Sequence, residues 1–266
     1  MTFNINAPKL RAWGKITHEF RATCVQDYQK GLSIKEIHNL RGSGIKTIYR
    51  IVKEEGVYES KKGILSNRSY FFNQSYFENI DTSLKAYFLG FLYADGCNTG
   101  EHLTVSINKK DIYLLEKLKQ ELETEVNIKS CAKDIVSLYV CSKKLCNDLS
   151  KHGCVPKKTF ILTFPDLPEH LVHHFIRGYF DGDGCICITN KRHDFSIVGR
   201  EEFVQSIQTI LMEKCNLKKT KIIKNLRSPV FNVRYSGRLQ TNRIADYMYK
   251  DSSFHLMRKY DKFYKL

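Results

Sequence analysis

The chain has no long uninterrupted run of apolar residues. None of its apolar stretches approaches the roughly 20 residues that a membrane-spanning helix needs. The beginning of the chain, MTFNINAPKLRAWGK, also has no apolar stretch of the kind found in a secretory signal. We therefore expect a protein with no membrane partner and an intracellular location, in the cytoplasm or the nucleoid, with an organelle or a phage-infected cell as alternatives.

Cysteine pairs at metal-binding spacing are also missing. The chain has nine cysteines, an odd number, and no two of them form a CxxC pair, which argues against a zinc ribbon. Without an export signal, we expect these thiols to stay reduced. Cys185 and Cys187 alternate along a predicted strand, and we interpret both as small apolar residues of the core.

Acidic residues are scarce relative to basic ones. The sequence has 28 Asp and Glu against 43 Lys and Arg, a net charge of +15. Residues 1–80 contribute +6 and the remainder +9, so the excess is spread along the chain and does not come from a basic tail. Because Lys and Arg placed on phosphates release condensed counterions, this balance favours a nucleic-acid partner. A well-solvated basic surface is the alternative.

The first 56 residues contain the pattern of three short helices. Ser33 followed by Glu36 predicts a capping box at the start of the second helix, and Gly31 is a predicted C-cap of the first. The tight turn RGSG then leads into IKTIYRIVKEEG, as in a helix-turn-helix. The third helix is predicted to turn Ile45, Ile48, Ile51 and Val52 inward and Lys46, Thr47, Tyr49 and Arg50 toward DNA. A plain helical hairpin that packs against another part of the protein is the alternative.

Residues 57–81 have no clear helical or strand period and are predicted to be a linker. Its aromatic residues could pack on the following domain, and its basic residues could follow a phosphate backbone. The sequence leaves both interpretations open. The aromatic residues are Tyr70, Phe71, Phe72, Tyr76 and Phe77, and the basic residues are Lys61, Lys62 and Arg68.

The remaining residues contain the same order of elements twice. Residues 82–166 predict the order α-β-β-α-β-β-α, and residues 167–266 repeat it with similar spacing. Two similar units in one chain imply a pseudo-twofold axis, with their first helices as the meeting point. We therefore predict an α+β fold in which two αββαββα repeats form a saddle of β-sheet around two central helices. A small all-α helix-turn-helix domain, residues 1–56, precedes them.

The first helices of the two repeats end in the same unusual way. FLGFLYADG and FIRGYFDGDG each carry a glycine five residues before an aspartate that is followed by glycine. A glycine inside a helix costs about 1 kcal/mol relative to alanine, so we interpret Gly90 and Gly178 as the surface where the helices approach closely. That contact would bring Asp95 and Asp183 together, where two carboxylates at negative helix ends repel each other. Mg²⁺, a cation with oxygen ligands, would remove the conflict. Simple Asp–Gly turns are the alternative.

These two segments resemble the signature helices of the LAGLIDADG homing endonucleases, in the single-chain form with two repeats. The resemblance covers residues 82–266 and implies that Asp95 and Asp183 bind the catalytic metal, Mg²⁺ or Mn²⁺. It also implies one basic residue beside each active site, carried here by Lys158 in PKKTF and Lys259 in MRKYDKF. These lysines would stabilise charge on the scissile phosphate or position the attacking water. Ordinary phosphate-contacting or surface lysines are the alternative.

One position departs from the family pattern. The earlier acidic residue of the signature is Asp181 in the second segment, but Tyr93 stands at that position in the first. Because this position varies in the family, we expect the difference to weaken the symmetry of the site more than its activity. Position 94, between Tyr93 and the metal-binding aspartate, is expected to supply no metal ligand.

The resemblance implies a monomer that hydrolyses phosphodiester bonds on both strands of a long, asymmetric double-stranded DNA target. The strands would read base edges in the major groove, and the predicted readers are Asn108, Lys129, Arg200 and Arg234. The helix-turn-helix would add a flanking contact. Two other functions remain open on the same scaffold, a non-cleaving DNA-binding regulator and a splicing cofactor that binds intron RNA. Both signature aspartates are present, which favours the endonuclease.

Overall fold

The structure, a computed structural model, describes residues 16–30, 32–57, 72–156, 161–189, 192–226, 228 and 230–264. The chain divides into two compact units, Met1–Arg68 and Ser69–Leu266. The described part of the smaller unit is all helical, whereas the larger unit contains every described strand.

The described part of the smaller unit consists of three short helices, α1 (His18–Gln29), α2 (Ile34–Arg41) and α3 (Ile45–Glu54). The predicted capping box begins α2, because the Ser33 side chain accepts the Glu36 N–H and the Glu36 carboxylate accepts the Ser33 N–H. Gly42 then ends α2 with a φ of 72°. Glycine adopts this left-handed conformation without strain, which permits the tight turn into α3.

The inner face of α3 follows the predicted stripe with one exception. Ile48, Ile51 and Val52 are fully buried, but Ile45 is 48% exposed, so the prediction for Ile45 is wrong. The physical reason is its place at the first position of α3, since side chains on a helix lean toward the N-terminus. Ile45 therefore lies outside the core of this unit. The predicted C-cap Gly31 lies outside the described residues.

The larger unit contains the predicted order of elements twice. The first copy comprises α4 (Ser83–Asp95), β1 (Gly96–Asn98), β2 (His102–Asn108), α5 (Tyr113–Glu121), β3 (Lys129–Ala132), β4 (Ile135–Cys141) and α6 (Lys143–Lys151). The second comprises α7 (Glu169–Asp183), β5 (Gly184–Thr189), β6 (Arg192–Gly199), α8 (Glu201–Cys215), β7 (Ile223–Lys224), β8 (Phe231–Ser236) and α9 (Arg238–Tyr249). A further helix, α10 (Met257–Tyr264), follows. The α+β class and the two αββαββα copies are confirmed.

Each copy forms one four-stranded antiparallel sheet. The strand orders are β1-β2-β4-β3 and β5-β6-β8-β7, and they match position by position. The register also matches, because Gly96 pairs with Val105 in one sheet and Gly184 pairs with Ile197 in the other. One face of each sheet packs into the core, and we name the other the open face. The strand alternation assigns to the open faces Cys97, His102, Thr104, Ser106, Ser137, Tyr139 and Cys141 in the first sheet and Cys185, Cys187, Arg192, Asp194, Ser196, Arg234 and Ser236 in the second.

A single apolar core joins the two copies, and α4 and α7 run through it. Phe72, Tyr76 and Phe77, from the predicted linker, are buried in this core, so part of that segment packs on the larger unit. The other linker residues named above, Tyr70, Phe71 and the three basic residues, lie outside the described residues.

The prediction that Cys185 and Cys187 belong to the core is wrong. Cys185 is exposed and Cys187 is half-buried, whereas Ile186 between them is buried. In a strand, alternate residues face opposite sides, and the larger Ile186 takes the core side. All nine cysteines are free thiols. No helix in the described part of the chain is both long enough and apolar enough to cross a bilayer.

Candidate active site at the paired helix ends

The two central helices touch at their glycines. A Cβ added to Gly90 would lie 2.0 Å from the carbonyl oxygen of Phe175, and one added to Gly178 would lie 1.9 Å from that of Tyr87. Real Cβ atoms do not approach a carbonyl oxygen so closely, so any larger residue would push the helices apart. The glycines thus set the distance at which α4 and α7 pack.

Each helix ends on an aspartate, and the following glycine turns the chain into a strand. Asp95 ends α4 and Asp183 ends α7, and both residues are exposed. A side chain at Gly96 or Gly184 would collide with the last turn of its own helix, since a Cβ would lie 2.6 Å from the Leu92 oxygen or 2.5 Å from the Phe180 oxygen. The sharp turn therefore depends on glycine, and it leaves each carboxylate at the helix end.

Two observations bring the aspartates together. A Cβ at Gly182, the residue before Asp183, would lie 3.1 Å from Oδ2 of Asp95, so the Asp95 carboxylate lies against the end of α7. The pKa of the Tyr179 phenol is raised by burial first and then by the charges of both Asp183 and Asp95. Both carboxylates therefore act on the same side chain, as the packing of the helices requires.

The residues directly before the two aspartates differ. Position 94 is an alanine, whereas the matching position before Asp183 is Gly182. A Cβ at Gly182 would lie 2.3 Å from the Cβ of Ala94, so the space between the helix ends holds one methyl group and not two. The Ala94 side chain is half-buried against the core and has no donor atom. It therefore spaces the helix ends.

Lys259 lies against the C-terminal end of α7. It is 5% exposed, and its Nζ donates to the carbonyl oxygens of Phe180 (2.5 Å), Asp181 (2.8 Å), Gly182 (3.3 Å) and Gly184 (2.6 Å). Burial lowers its pKa to about 8, and the charges of Asp181, Asp95 and Asp183 oppose that shift. A cation is favourable at the C-terminal end of a helix, where carbonyl oxygens lack partners.

The other predicted lysine, Lys158, lies outside the described residues. Lys259 has three N–H donors and four backbone acceptors, so it is already engaged by the protein. A direct contact with a phosphate would require it to give up some of these bonds. Its role in holding the α7–β5 turn follows from the geometry, and its catalytic role stays a prediction.

The position where the two signature segments differ is buried in both copies. Asp181 is 1% exposed, and its Oδ2 accepts from the Tyr87 hydroxyl (2.8 Å) and the Leu256 N–H (2.7 Å). Burial raises the pKa of Asp181 to about 6. At the matching position of the first copy, the Tyr93 hydroxyl donates to the His152 carbonyl oxygen. Each side chain thus ties its helix to a segment that follows the last helix of the copy.

The predicted DNA readers lie in different settings. Asn108 accepts the Lys110 N–H and begins a short 3-10 helix, so its side chain has a structural partner. Lys129 is exposed on β3. Arg200 lies between β6 and α8, where it pairs with Glu202 at 2.8 Å. Arg234 lies on the open face of the second sheet.

In the smaller unit, the predicted DNA-facing residues of α3 point outward. Lys46, Tyr49 and Arg50 are exposed, and Thr47 is half-buried. The Lys53 ammonium lies over the Tyr49 ring, 5.8 Å from its centre. The four residues therefore form one accessible helix face.

Two residues of the second open face were missed by the sequence analysis. Arg192 and Asp194 form an ion pair, and Arg234 binds the same Asp194 oxygen. The signal was present in the sequence, since an arginine and an aspartate two residues apart in a strand share a face.

The carboxylate pair fits a hard divalent cation. Mg²⁺ is commonly held by one or two carboxylates, with waters and substrate phosphates completing its shell, and Asp95 and Asp183 supply two exposed carboxylates. The described residues contain no cluster of three or more His, Cys, Asp and Glu side chains that could hold a metal by protein ligands alone. A metal here would therefore take some of its ligands from Asp95 and Asp183 and others from water and a bound substrate.

No family model matches the sequence. The probable translation initiation factor IF-2 of Methanocaldococcus jannaschii is 26% identical over 135 residues, which is 47% of this chain and 11% of that protein. The chain thus spans about a tenth of the length of the curated relative that it matches.

Among solved structures, the K262A mutant of I-SmaMI aligns with 68% of this chain and 89% of its own, at a TM-score of 0.50 and 15% identity. I-SmaMI bound to uncleaveable DNA aligns over 68% of this chain and 88% of its own, at a TM-score of 0.50 and 13% identity. I-SmaMI is a LAGLIDADG homing endonuclease. Over about two thirds of its length, this chain has the fold of the LAGLIDADG homing endonucleases.

Proposed function

We propose that the chain is a site-specific DNA endonuclease that cuts both strands of a double-stranded target with a divalent metal, Mg²⁺ or Mn²⁺. The observation that carries this proposal is the convergence of two exposed carboxylates, Asp95 and Asp183, at the ends of helices locked together by glycines. Carboxylates at negative helix ends are unfavourable for stability, so their presence at both ends is best explained by metal-assisted chemistry.

In this mechanism, Asp95 and Asp183 would hold the metal, which would supply a Lewis acid for activating water and for neutralising charge on the scissile phosphate. Gly90 and Gly178 keep the two carboxylates at a fixed separation. Lys259 neutralises the carbonyl end of α7 and so holds the turn that presents Asp183. One aspartate from each copy would allow a single chain to act on two antiparallel strands.

DNA binding is proposed on the open faces of the two sheets. A net charge of +15 favours a phosphate backbone, and two-stranded β elements fit the major groove. I-SmaMI, with which the chain shares its fold, has been seen bound to uncleaveable DNA. Lys129 and Arg234 have exposed side chains for base contacts, and Lys46, Thr47, Tyr49 and Arg50 of α3 would add a flanking contact.

The test uses the full purified chain. DNA fragments that it binds are enriched from a randomised library, and the enriched sequences are incubated with the protein and Mg²⁺. We expect double-strand cutting, and we expect Asp95→Asn or Asp183→Asn to slow it by about 10²–10³-fold or more, while binding survives. Asp166→Asn, at an exposed aspartate in the loop before α7, is the matched control and should cut normally.

Each alternative function predicts a different result. Sequence-specific DNA binding without any metal-dependent cutting by the wild-type protein would favour a regulator and contradict the endonuclease. Tight binding of a structured intron RNA, with no specific DNA bound, would favour a splicing cofactor. Unimpaired cutting by Asp183→Asn would show that the proposed metal ligands are wrong.

The contribution of α3 is tested separately. We expect the double variant Lys46→Ala, Arg50→Ala to shorten the DNase footprint at one end. It should also lower the slope of log affinity against log salt by about 2, since each phosphate-binding side chain that is removed changes this slope by about 1. Lys30→Ala, which removes an exposed lysine beyond the end of α1, is the control. An unchanged footprint in the double variant would contradict the helix-turn-helix role.

A further inference from the structure

The two open faces carry different chemistry at matched positions. Because Gly96 pairs with Val105 and Gly184 pairs with Ile197, counting back three residues along each second strand matches His102 with Asp194. Along β4 and β8, Val105 pairs with Leu138 and Ile197 pairs with Val233. The residues that follow these partners, Tyr139 and Arg234, therefore match. The same diagonal pair of sites is thus occupied by His and Tyr in one sheet and by Asp and Arg in the other.

In the second sheet, Asp194 organises two arginines. Its Oδ2 accepts from Nε of Arg192 and from a terminal nitrogen of Arg234 (2.5 Å), and its Oδ1 accepts from the Ser236 hydroxyl (2.5 Å). The Asp194 side chain is 11% exposed, whereas those of Arg192 and Arg234 are 58% and 43% exposed. The hydrogen bonds from Ser236, Arg234 and Arg192 hold the pKa of Asp194 well below its usual range, so the carboxylate stays charged.

In the first sheet, the side chains at the matched positions, His102 and Tyr139, interact through their rings. The centres of His102 and Tyr139 are 4.8 Å apart and the ring planes are tilted by 34°. None of the four strands of this sheet contains an arginine. The first sheet therefore offers a different contact to a DNA groove at this point.

We propose that Arg192 and Arg234, oriented by Asp194, form a guanine-recognition site for one half of the DNA target, with no counterpart in the other half. The proposal rests on the proposed function. Guanine presents two acceptors, O6 and N7, in the major groove, and a guanidinium matches them with two parallel N–H donors. A guanidinium has five N–H groups, and the described bonds to Asp194 use one from each arginine.

Asp194 acts as a positioning residue in this site. It already accepts three hydrogen bonds from the protein, so it orients the arginines and does not itself read a base. Fixing a flexible arginine before binding removes part of the entropy cost that the contact would otherwise incur. Its charge also cancels that of one arginine, which leaves the cluster with a single net positive charge.

The site has an expected place in the target. Asp194 pairs with Cys187, four residues beyond Asp183. At about 3.3 Å per strand residue this is about 13 Å, or about four base pairs at 3.4 Å each. We therefore expect a guanine about four base pairs from the cut on the side of the second repeat.

The experiment measures base preference at each target position with the full chain and a randomised DNA library, in binding and in cutting with Mg²⁺. The wild-type protein should prefer guanine at the expected place by about tenfold or more over the other bases. Arg192→Ala or Arg234→Ala should reduce that preference severalfold. Arg234→Lys keeps the charge but cannot form two parallel bonds, so it should retain affinity and lose preference.

Asp194→Asn separates positioning from a merely structural role. It removes a negative charge from the surface that faces DNA, so overall affinity should stay equal or rise while the guanine preference falls. A structural defect would instead lower affinity for all sequences together. Tyr139→Ala, at the position matched to Arg234, should leave the guanine preference intact, and thermal unfolding of each variant checks its fold.

The outcomes separate this inference from the proposed function. Specific binding and cutting by the wild type without a guanine preference in that half would overturn the inference and leave the endonuclease assignment standing. The same conclusion would follow if Arg192→Ala and Arg234→Ala both kept the wild-type preference. Absence of any sequence preference in the wild-type protein would overturn both.

Discussion

The helices α4 and α7 have the same backbone path but different buried chemistry. Counted from Gly90 and Gly178, Leu89 of α4 matches Arg177 of α7, and Tyr93 matches Asp181. All four side chains are essentially buried. One helix therefore carries two uncharged residues where the other carries an arginine and an aspartate.

The charged helix is tied to its surroundings by more hydrogen bonds. Arg177 donates to the carbonyl oxygens of Phe254 (3.2 Å) and Met248 (2.9 Å) and bonds to Nδ1 of His174 (2.8 Å). Burial and the Arg177 charge lower the pKa of His174 to about 3, so this imidazole stays neutral and accepts the bond. The contact at the glycines fixes where the helices meet, and the outward side of each helix is free to use different chemistry.

The largest effect is expected where the two helices are the same. Gly90→Ala and Gly178→Ala should each lower the free energy of unfolding of the larger unit by about 3 kcal/mol or more, because each methyl group would meet a backbone carbonyl. Helix propensity alone predicts the opposite sign, a gain of about 1 kcal/mol. Denaturant unfolding decides between the two.

Gly100→Ala is the control for this pair. Gly100 has a φ of 88°, and a Cβ there would have its nearest contact at 4.0 Å, so the cost is backbone strain alone, about 1–2 kcal/mol. If Gly90→Ala stabilised the protein while Gly178→Ala destabilised it, the two helices would not share their contact equally.

The next largest effect is expected where the two helices differ, at Asp181. It is a change of the free energy of unfolding with pH. The pKa of Asp181 is raised from 3.8 to about 6 by burial, so between pH 4 and 6 the folded state holds a proton that the unfolded state has lost. The free energy of unfolding should therefore fall as the pH rises through this window, by about 3 kcal/mol in total. Asp181→Asn lacks the carboxyl group and should lack this loss.

The measurement is the difference in unfolding free energy between wild type and Asp181→Asn at pH 4 and pH 7. Taking the difference removes the opposite contributions of exposed, ion-paired carboxylates such as Glu169 and Glu78, whose pKa values are lowered by lysine partners. If this difference did not change with pH, the raised pKa of the buried Asp181 carboxyl group would be contradicted.

The smallest effect is expected from Tyr93→Phe, the matched change in the first copy. It removes the bond to the His152 carbonyl oxygen and should cost about 1 kcal/mol. Burial raises the pKa of the Tyr93 phenol, so the cost should be the same at pH 4 and pH 7. A marked pH dependence for this variant would mean that the first copy also has a buried titrating network.

Much of the fold follows from local sequence rules. The capping box at Ser33, the glycine at Gly42 and the order of helices and strands are properties of short stretches, so sequence patterns predict them directly. The contact at Gly90 and Gly178 could also be predicted, because glycine is costly within a buried helix unless another backbone approaches it closely. The aspartates then follow, since they lie at a fixed spacing from those glycines.

Other features depend on which face a neighbour covers, and the sequence does not contain that information locally. Cysteine fits a core and a surface equally well. Cys185 therefore lies on the open face because its neighbour Ile186 packs into the core. The predicted burial of Ile45 was wrong for a similar reason, because its position at the start of α3 outweighed its apolar character. The burial of Lys259 under four carbonyl groups requires that α10 return to the end of α7, which involves residues far apart in the chain.

The contact between the central helices is reciprocal: Gly90 faces the oxygen three residues before Gly178, and Gly178 faces the oxygen three residues before Gly90. Each helix thus supplies a glycine that leaves space for the other helix and a backbone carbonyl oxygen that occupies the space at the other helix's glycine. Such a surface is complementary to a second copy of itself. A chain shortened to a single copy would accordingly present a self-pairing face, and a homodimer of such chains would carry two identical aspartates in place of Asp95 and Asp183.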